Sequence, residues 1–354
     1  MKLYPNVTVY FVIFIVAVLN IFYFGHQILP HNEGGQEDFI NALRNWDGGH
    51  FLGIAENGYK YSFQHAFFPL YPLLIKFLFP IFPNHHALGG VVISILATLI
   101  GLNLLYQMVL TQYDKNLAQK VILSILFFPM SFYFLVVYSE GLFFMFSVAC
   151  FYFVRKNNLF LATLAAALAS ATRLAGLAVV AGLLIPLLLN KGINRNNWFV
   201  LLAPSGLLIY SFYLYLNVGD PFYFVTVEQH WQRSITIPAR AFFITLNNML
   251  YPGYLLSRYG QFWDLLFTAL GLGLIIMNFK KLPKDFAIFS LISIGLPLAS
   301  PTIEAIPRYL LPIFPIFILI ALIKNPYLSF AYQIFGVTLL AFYATLFING
   351  YWVS

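Results

Sequence analysis

Apolar runs long enough to cross roughly 30 Å of hydrocarbon recur along the whole chain of 354 residues, separated by short polar breaks. The pattern predicts helical spans at 7–28, 87–110, 121–137, 138–154, 159–172, 173–189, 198–217, 262–279, 286–300, 309–323 and 327–350, about eleven in all. The runs are continuous, which excludes the alternating pattern of a transmembrane barrel. Several are short for a perpendicular crossing; such helices are tilted into aqueous cavities, or the true boundaries lie elsewhere. Segment 67–82 is apolar but holds Pro69, Pro72 and Pro80, with Pro83 just beyond its end. Proline removes backbone donors inside a helix, so this segment reads as a re-entrant or interfacial element. No repeat, low-complexity tract or linker divides the chain, so 1–354 is expected to be one all-α, polytopic membrane domain.

The polar breaks test this arrangement. With Lys2 in the cytoplasm, the same side receives Lys115 and Lys120, Arg155-Lys156, Lys191 and Arg195, Lys280-Lys281 with Lys284, and Lys324. All these loops are short and basic, as cytoplasmic loops are. The opposite side receives 29–86, 218–261 and 301–308, with Glu33, Glu37, Asp38, Asp47, Glu56, Asp220, Glu228 and Glu304. The tight tips at Tyr138-Ser139-Glu140 and Thr172-Arg173 face the same way. Nearly all charge not needed for topology is therefore expected on one membrane face.

Composition sharpens the picture. The chain is 61% hydrophobic, 19% aromatic and 9% charged, with mean hydropathy +0.81. Its net charge of +7 lacks a basic stripe or a soluble domain and is a topology signal, so no nucleic-acid partner is expected. The single cysteine, Cys150, rules out an internal disulfide. The first run, about Val7 to Ile28, lacks a small-residue cleavage site and reads as a retained anchor.

A chain this poor in charge keeps ionisable groups mainly where it uses them or where they fix topology. The stretch Arg44-Asn45-Trp46-Asp47-Gly48-Gly49-His50, followed by Glu56, is therefore the first candidate for chemistry. Asp47 could take a proton from an attacking hydroxyl or simply start a helix. If 46–56 is helical, His50 shares a face with Asp47, and Glu56 sits on a similar bearing further along. Carboxylate and imidazole ligands could suit Mn or Zn, but the spacing is no known ligand motif and no second cluster completes it. No P-loop or dinucleotide fingerprint occurs.

Glu140 stands between apolar neighbours in Tyr138-Ser139-Glu140-Gly141-Leu142. A carboxylate at membrane depth costs roughly 2.5–3.5 kcal/mol and calls for a partner; the bland reading is a helix-end residue reaching interfacial water. Arg173 is its natural counterpart, and Arg308 and Arg233 are further candidates on the same face. Guanidinium groups bind phosphate through paired hydrogen bonds, although an isolated interfacial arginine is commonly an anchor. Phe67-Phe68-Pro69-Leu70-Tyr71-Pro72 adds an aromatic surface suited to a sugar platform, a prenyl groove or plain interfacial packing.

Together these pieces resemble the GPI mannosyltransferase II (PIG-V) family within the GT-C class of integral-membrane glycosyltransferases. The matching residues are Trp46-Asp47 through His50-Phe51, Ile54-Ala55, Gly58-Tyr59, Phe67-Phe68-Pro69 to Pro72, Tyr138-Ser139-Glu140 with Leu142-Phe143-Phe144, Thr172-Arg173 with Gly176, Gly219-Asp220-Pro221, Trp231 with Arg233, and Arg308-Tyr309. The resemblance implies a GT-C bundle whose extracytoplasmic loops 29–86 and 218–261 form the active site. It also implies a polyprenyl-phosphate donor, typically dolichyl phosphate mannose, used on the extracytoplasmic or lumenal face. Asp47 would be the base, with no metal and no cofactor. His50, Glu56, Glu140, Arg173, Arg233 and Arg308 are then expected to bind substrate. This chain departs from the family in being short with little outer-loop elaboration, so a lipid, glycan or protein acceptor other than a GPI intermediate is expected at least equally. The expected setting is the plasma membrane in a prokaryote or the endoplasmic reticulum in a eukaryote.

Two other classes compete: a polyprenyl-linked lipid or sugar transporter, and a non-catalytic membrane subunit. A transporter places polar groups near the midplane and usually shows repeat symmetry. Here the charges gather at one face and no repeat is visible.

Overall fold

A computed structural model describes residues 3–33, 35–190, 192–231, 233–250 and 255–353. Lys2 and Lys191, used above for topology, lie outside the described residues. The order of α-helices is α1 (Pro5–Ile28), α2 (Phe39–Ala42), α3 (Asp47–Asn57), α4 (Leu70–Phe77), α5 (His86–Leu110), α6 (Lys115–Leu126), α7 (Glu140–Arg155), α8 (Leu159–Thr172) and α9 (Gly176–Asn190). There follow α10 (Ser205–Val218), α11 (Tyr223–Thr226), α12 (Pro238–Leu250), α13 (Leu255–Asn278), α14 (Lys284–Leu298), α15 (Ile306–Leu310), α16 (Phe314–Ala321) and α17 (Pro326–Ile348). No strand occurs among the described residues.

Four helices there are long and apolar enough to cross a membrane: Pro5–Ile28, His86–Leu110, Tyr259–Asn278 and Pro326–Ile348. Shorter apolar helices fill the space between them. In α1 the buried residues Val7, Phe11, Phe14, Val18 and Phe22 recur every three or four positions, while Val9, Val12, Ile13 and Val16 stay exposed. One stripe faces protein and the remaining apolar surface suits lipid, as an integral membrane helix requires.

The structure breaks three of the expected spans. Segment 121–137 is helical only to Leu126, then passes Pro129 into a 3-10 turn at Ser131–Leu135. Segment 309–323 is divided at Pro312 between α15 and α16. Segment 198–217 opens with a 3-10 turn, Trp198–Leu202, and becomes helical only after Pro204. In each case proline withholds the backbone donor that would continue the helix. Segment 67–82 contains the short helix α4 followed by turns.

The core places α5 against α7, α7 against α8, α8 against α9 and α10, and α1 against α17. The α5–α7 crossing is close. A Cβ on Gly141 would stand 2.5 Å from Thr98 Oγ1 and 2.7 Å from the Ser94 carbonyl. Glycine there lets the start of α7 sink against α5, carrying Glu140 inward with it. The ends of α1 and α17 meet through Asn349, whose amide donates to the Gly25 carbonyl at 3.0 Å. The 3-10 turns at Ser62–Ala66 and Val227–Trp231 also pack together, so the two long loops meet at one end of the bundle.

Candidate active site

Asp47 is the first residue of α3, where a carboxylate is favoured by the helix dipole. The residue before it, Trp46, has φ 60° and ψ −123°, a conformation that costs a non-glycine residue about 1–3 kcal/mol and persists only when its surroundings enforce it. They do. Trp46 Nε1 donates to the Tyr351 carbonyl at 3.1 Å and its ring meets Trp352 at 4.9 Å. Beside it, Asn45 donates to the Phe347 carbonyl at 2.9 Å, and Tyr138 donates to the Asn45 carbonyl at 3.1 Å. Behind Asp47, a Cβ on Gly48 would lie 3.0 Å from the Val137 carbonyl, so α3 abuts the segment that leads into Glu140.

Arg308 meets Asp47 from the far end of the sequence. The turn into α15 runs through Ala305, itself left-handed at φ 66°. Arg308 Nη1 donates to Asp47 Oδ2 at 2.6 Å, Nη2 donates to the Tyr309 hydroxyl at 3.4 Å, and Nε lies 3.6 Å from Glu140 Oε1. The guanidinium is almost fully buried and is ringed by Tyr133, Tyr138 and Tyr309, each within 5.2–5.6 Å of its carbon. Aromatic faces stabilise a desolvated cation at this range.

The remaining charges attach to this pair. Arg173, at the C-terminal cap of α8, pairs with Glu140 Oε1 at 2.5 Å and lies over the Tyr309 ring at 5.6 Å. Arg233 donates to the Tyr309 hydroxyl at 3.1 Å and lies 3.8 Å from Glu228. Glu140 Oε2 is buried without a hydrogen bond. Three guanidinium groups and three carboxylates thus form one connected cluster. Tyr309 joins two of the arginines through its hydroxyl.

Electrostatics follow from this packing. Burial pushes the Asp47 pKa up, but the charge and hydrogen bond of Arg308, helped by His50 and Arg173, outweigh it and leave the carboxyl below its ordinary value. Burial lowers the pKa of His50, with Asp47 opposing and His230 assisting, so the imidazole is neutral at pH 7. Burial raises the pKa of Glu228 against the pull of Arg233.

His50 sits one turn beyond Asp47 and contacts Phe67 at 5.1 Å, Phe63 at 5.3 Å and Trp231 at 6.5 Å. Glu56 is elsewhere. At the other end of α3, it accepts from His86 Nδ1 at 3.0 Å. The structure therefore brings together Asp47, His50, Glu140, Arg173, Arg233 and Arg308, and leaves Glu56 apart. Tyr133, Tyr138, Tyr309, Glu228 and His230 join the cluster without having been named as site residues from the sequence. Their signal was slight: Tyr138 and Tyr309 each lie beside a charged candidate.

Residues 32–191 match the family described as mannosyltransferase (PIG-V). GPI mannosyltransferase 2 of Drosophila pseudoobscura pseudoobscura is 32% identical over 114 residues, covering 29% of this chain and 25% of that protein. The Drosophila melanogaster protein of the same name is 32% identical over 120 residues, with the same coverage. The matched segment thus spans about a quarter of these curated relatives. The crystal structure of ArnT from Cupriavidus metallidurans bound to undecaprenyl phosphate superposes with TM-score 0.56 at 15% identity, covering 93% of this chain and 63% of ArnT. The fold is all-helical and similar to that of ArnT, a GT-C enzyme. Through residues 32–191 the chain is similar to the mannosyltransferase (PIG-V) family, the family its motifs resemble.

Proposed function

We propose that this protein is a membrane glycosyltransferase. It moves a hexose, mannose by kinship, from a polyprenyl-phosphate carrier to a hydroxyl of a lipid, glycan or protein acceptor. The carrying observation is the contact between Asp47 and Arg308 at 2.6 Å, with Arg173 and Arg233 linked to it through Glu140 and Tyr309. A base and a set of phosphate-binding cations then share one end of the bundle. The chain crosses the membrane about eleven times as one domain, and this end faces the extracytoplasmic or lumenal side.

In the reaction, an Asp47 oxygen takes the proton of the acceptor hydroxyl. The acceptor oxygen bonds to the anomeric carbon as the bond from that carbon to the phosphate oxygen breaks. The electron pair leaves on the polyprenyl phosphate, which the arginines neutralise. Because the resting cluster balances three cations with three carboxylates, the incoming phosphate competes for Arg308 and releases Asp47 for proton transfer. ArnT, bound to undecaprenyl phosphate, supports the choice of carrier.

The test uses purified full chain in lipid nanodiscs, polyprenyl-phosphate mannose, and a membrane lipid extract as acceptor pool. Asp47→Asn should lower transfer by about 10²–10⁴-fold while the folded protein keeps donor binding close to wild type, at a melting temperature lowered by loss of the ion pair with Arg308. Wild-type turnover in that variant would remove Asp47 from the chemistry.

A further inference from the structure

Residues 349–353, which follow α17, carry no charged side chain and lie outside the segment matched to the mannosyltransferase family. They nevertheless touch both sides of the central ion pair. The Tyr351 carbonyl accepts from Trp46 Nε1 at 3.1 Å, and the Trp352 ring meets the Trp46 ring edge-on at 4.9 Å. Two residues further, the Val353 carbonyl accepts from the Tyr133 hydroxyl at 3.2 Å. Trp46 immediately precedes Asp47, and the Tyr133 ring lies 5.6 Å from the Arg308 guanidinium carbon. One strap thus grips the backbone beside the carboxylate and the ring beside the cation. The strap is itself anchored: Asn349 donates to the Gly25 carbonyl at 3.0 Å, and the Asn32 N–H donates to the Asn349 carbonyl at 2.9 Å.

What the strap holds is a turn. The Gly48 N–H donates to the Asn45 carbonyl at 3.4 Å, and Trp46 at φ 60° and ψ −123° takes the second position of a type II′ turn, with Asp47 at the third. That second position suits glycine, because a Cβ is strained there. Burial does not explain a tryptophan at this point: Trp46 is 40% exposed and its partner Trp352 is 42% exposed. The indole hydrogen bond and the ring contact act instead on the backbone torsions that aim the next residue. Once they are released, the φ of Trp46 relaxes to negative values and Asp47 swings away from Arg308.

We propose that Trp352, with the strap 351–353 that carries it, is a positioning residue for the reaction. It clamps Trp46 in the strained turn from which Asp47 faces the site. The inference rests on the transferase reading, with Asp47 as base, and deepens it. When an incoming phosphate draws Arg308 away, the ion pair no longer fixes the carboxylate. The clamped turn does, so Asp47 stays aimed at the acceptor hydroxyl instead of following the cation. The bond from Tyr133 to Val353 ties the aromatic wall of Arg308 to the same strap and keeps base and cation in register. A plain latch between α17 and the first outer loop would need only the contacts; a positioning clamp needs the backbone conformation they enforce.

The test separates those two roles on the purified full chain in nanodiscs, with polyprenyl-phosphate mannose and a membrane lipid extract. Trp352→Ala and Trp46→Ala should each lower kcat about tenfold or more, with the KM for donor held within about twofold. Trp46→Gly makes neither clamp contact but adopts the turn unaided, so it should recover most of the activity that Trp46→Ala loses. Adding Trp352→Ala to Trp46→Gly should then cost nothing further. A second readout needs no turnover. Infrared titration of carbon-13-labelled aspartate, with Asp47→Asn subtracted, should show Asp47 titrating at higher pH in Trp352→Ala, as the carboxylate parts from Arg308, and at the wild-type position in Trp46→Gly. An unchanged titration or unchanged kcat in folded Trp352→Ala, or Trp46→Gly behaving like Trp46→Ala, overturns the proposal. A clamp-dependent titration in a wild-type protein that transfers no sugar would uphold the positioning and count against the transferase reading instead.

Discussion

Arg308 reaches across 261 positions of sequence to hold the carboxylate of Asp47 at 2.6 Å, and the same guanidinium lies 3.6 Å from Glu140. One cation therefore stands between a carboxylate at the rim and another at the bottom of the site.

Removing that cation should be costly. Breaking a buried ion pair by deleting one partner costs about 3–5 kcal/mol, because the other charge stays behind. Arg308→Gln is expected to lower the melting temperature and abolish transfer. Arg308→Lys should restore much of the stability but little activity, since an ammonium cannot reproduce the forked geometry. Paired thermal melts and turnover assays on the two variants separate these effects.

The pH dependence has a definite sign. The folded pKa of Asp47 lies below its ordinary 3.8. Its contribution to stability is therefore present above about pH 4 and is lost as pH falls through the lower folded value. The melting difference between wild type and Asp47→Asn should stay level from about pH 5 to 8 and shrink below about pH 4. The profile of kcat/KM should show no limb from Asp47 between about pH 5 and 8.

Gly48→Ala probes positioning. The new Cβ would sit 3.0 Å from the Val137 carbonyl, a backbone atom with little freedom to move. Relief requires α3 to shift outward and carry Asp47 with it. Displacements near 1 Å can cost about 10²-fold in rate. Single-turnover measurements should show slower chemistry with donor affinity retained.

Glu56→Gln should do little. Glu56 pairs with His86 where both side chains are partly exposed, and such pairs contribute about 0–1 kcal/mol. Transfer rate and melting temperature are expected near wild type; a large loss of transfer would place Glu56 in substrate binding after all.

At the opposite end of the bundle, Arg155 and Asp285 form a bidentate pair, with Nη2 donating to Oδ1 at 3.0 Å. It ties α7 to α14. Asp285→Ala should destabilise the protein by about 3 kcal/mol while kcat of the surviving folded enzyme stays unchanged. Thermal melts and turnover normalised to folded protein provide the check.

What was legible in the chain and what was not divide along physical lines. The charge parity of the loops gathered Asp47, Glu140, Arg173, Arg233 and Arg308 on one face, and the contacts between them occur as that placement requires. Glu56 shows the limit of periodicity. A shared bearing on a helix says nothing of axial distance, and nine residues at 1.5 Å each put Glu56 about 14 Å along α3 from Asp47. Prolines at 129, 204 and 312 broke spans that hydropathy drew as continuous, because hydropathy averages over a missing donor.

By itself the sequence determined the solvent. Runs of apolar residues must leave water, and helices satisfy their own backbone in lipid, so an all-helical membrane protein with charge confined to its breaks followed. Only tertiary structure decided the pairings: Arg308 with Asp47, Tyr309 between two arginines, His230 on Phe63. Those contacts depend on how helices far apart in sequence pack together, which residue spacing does not encode.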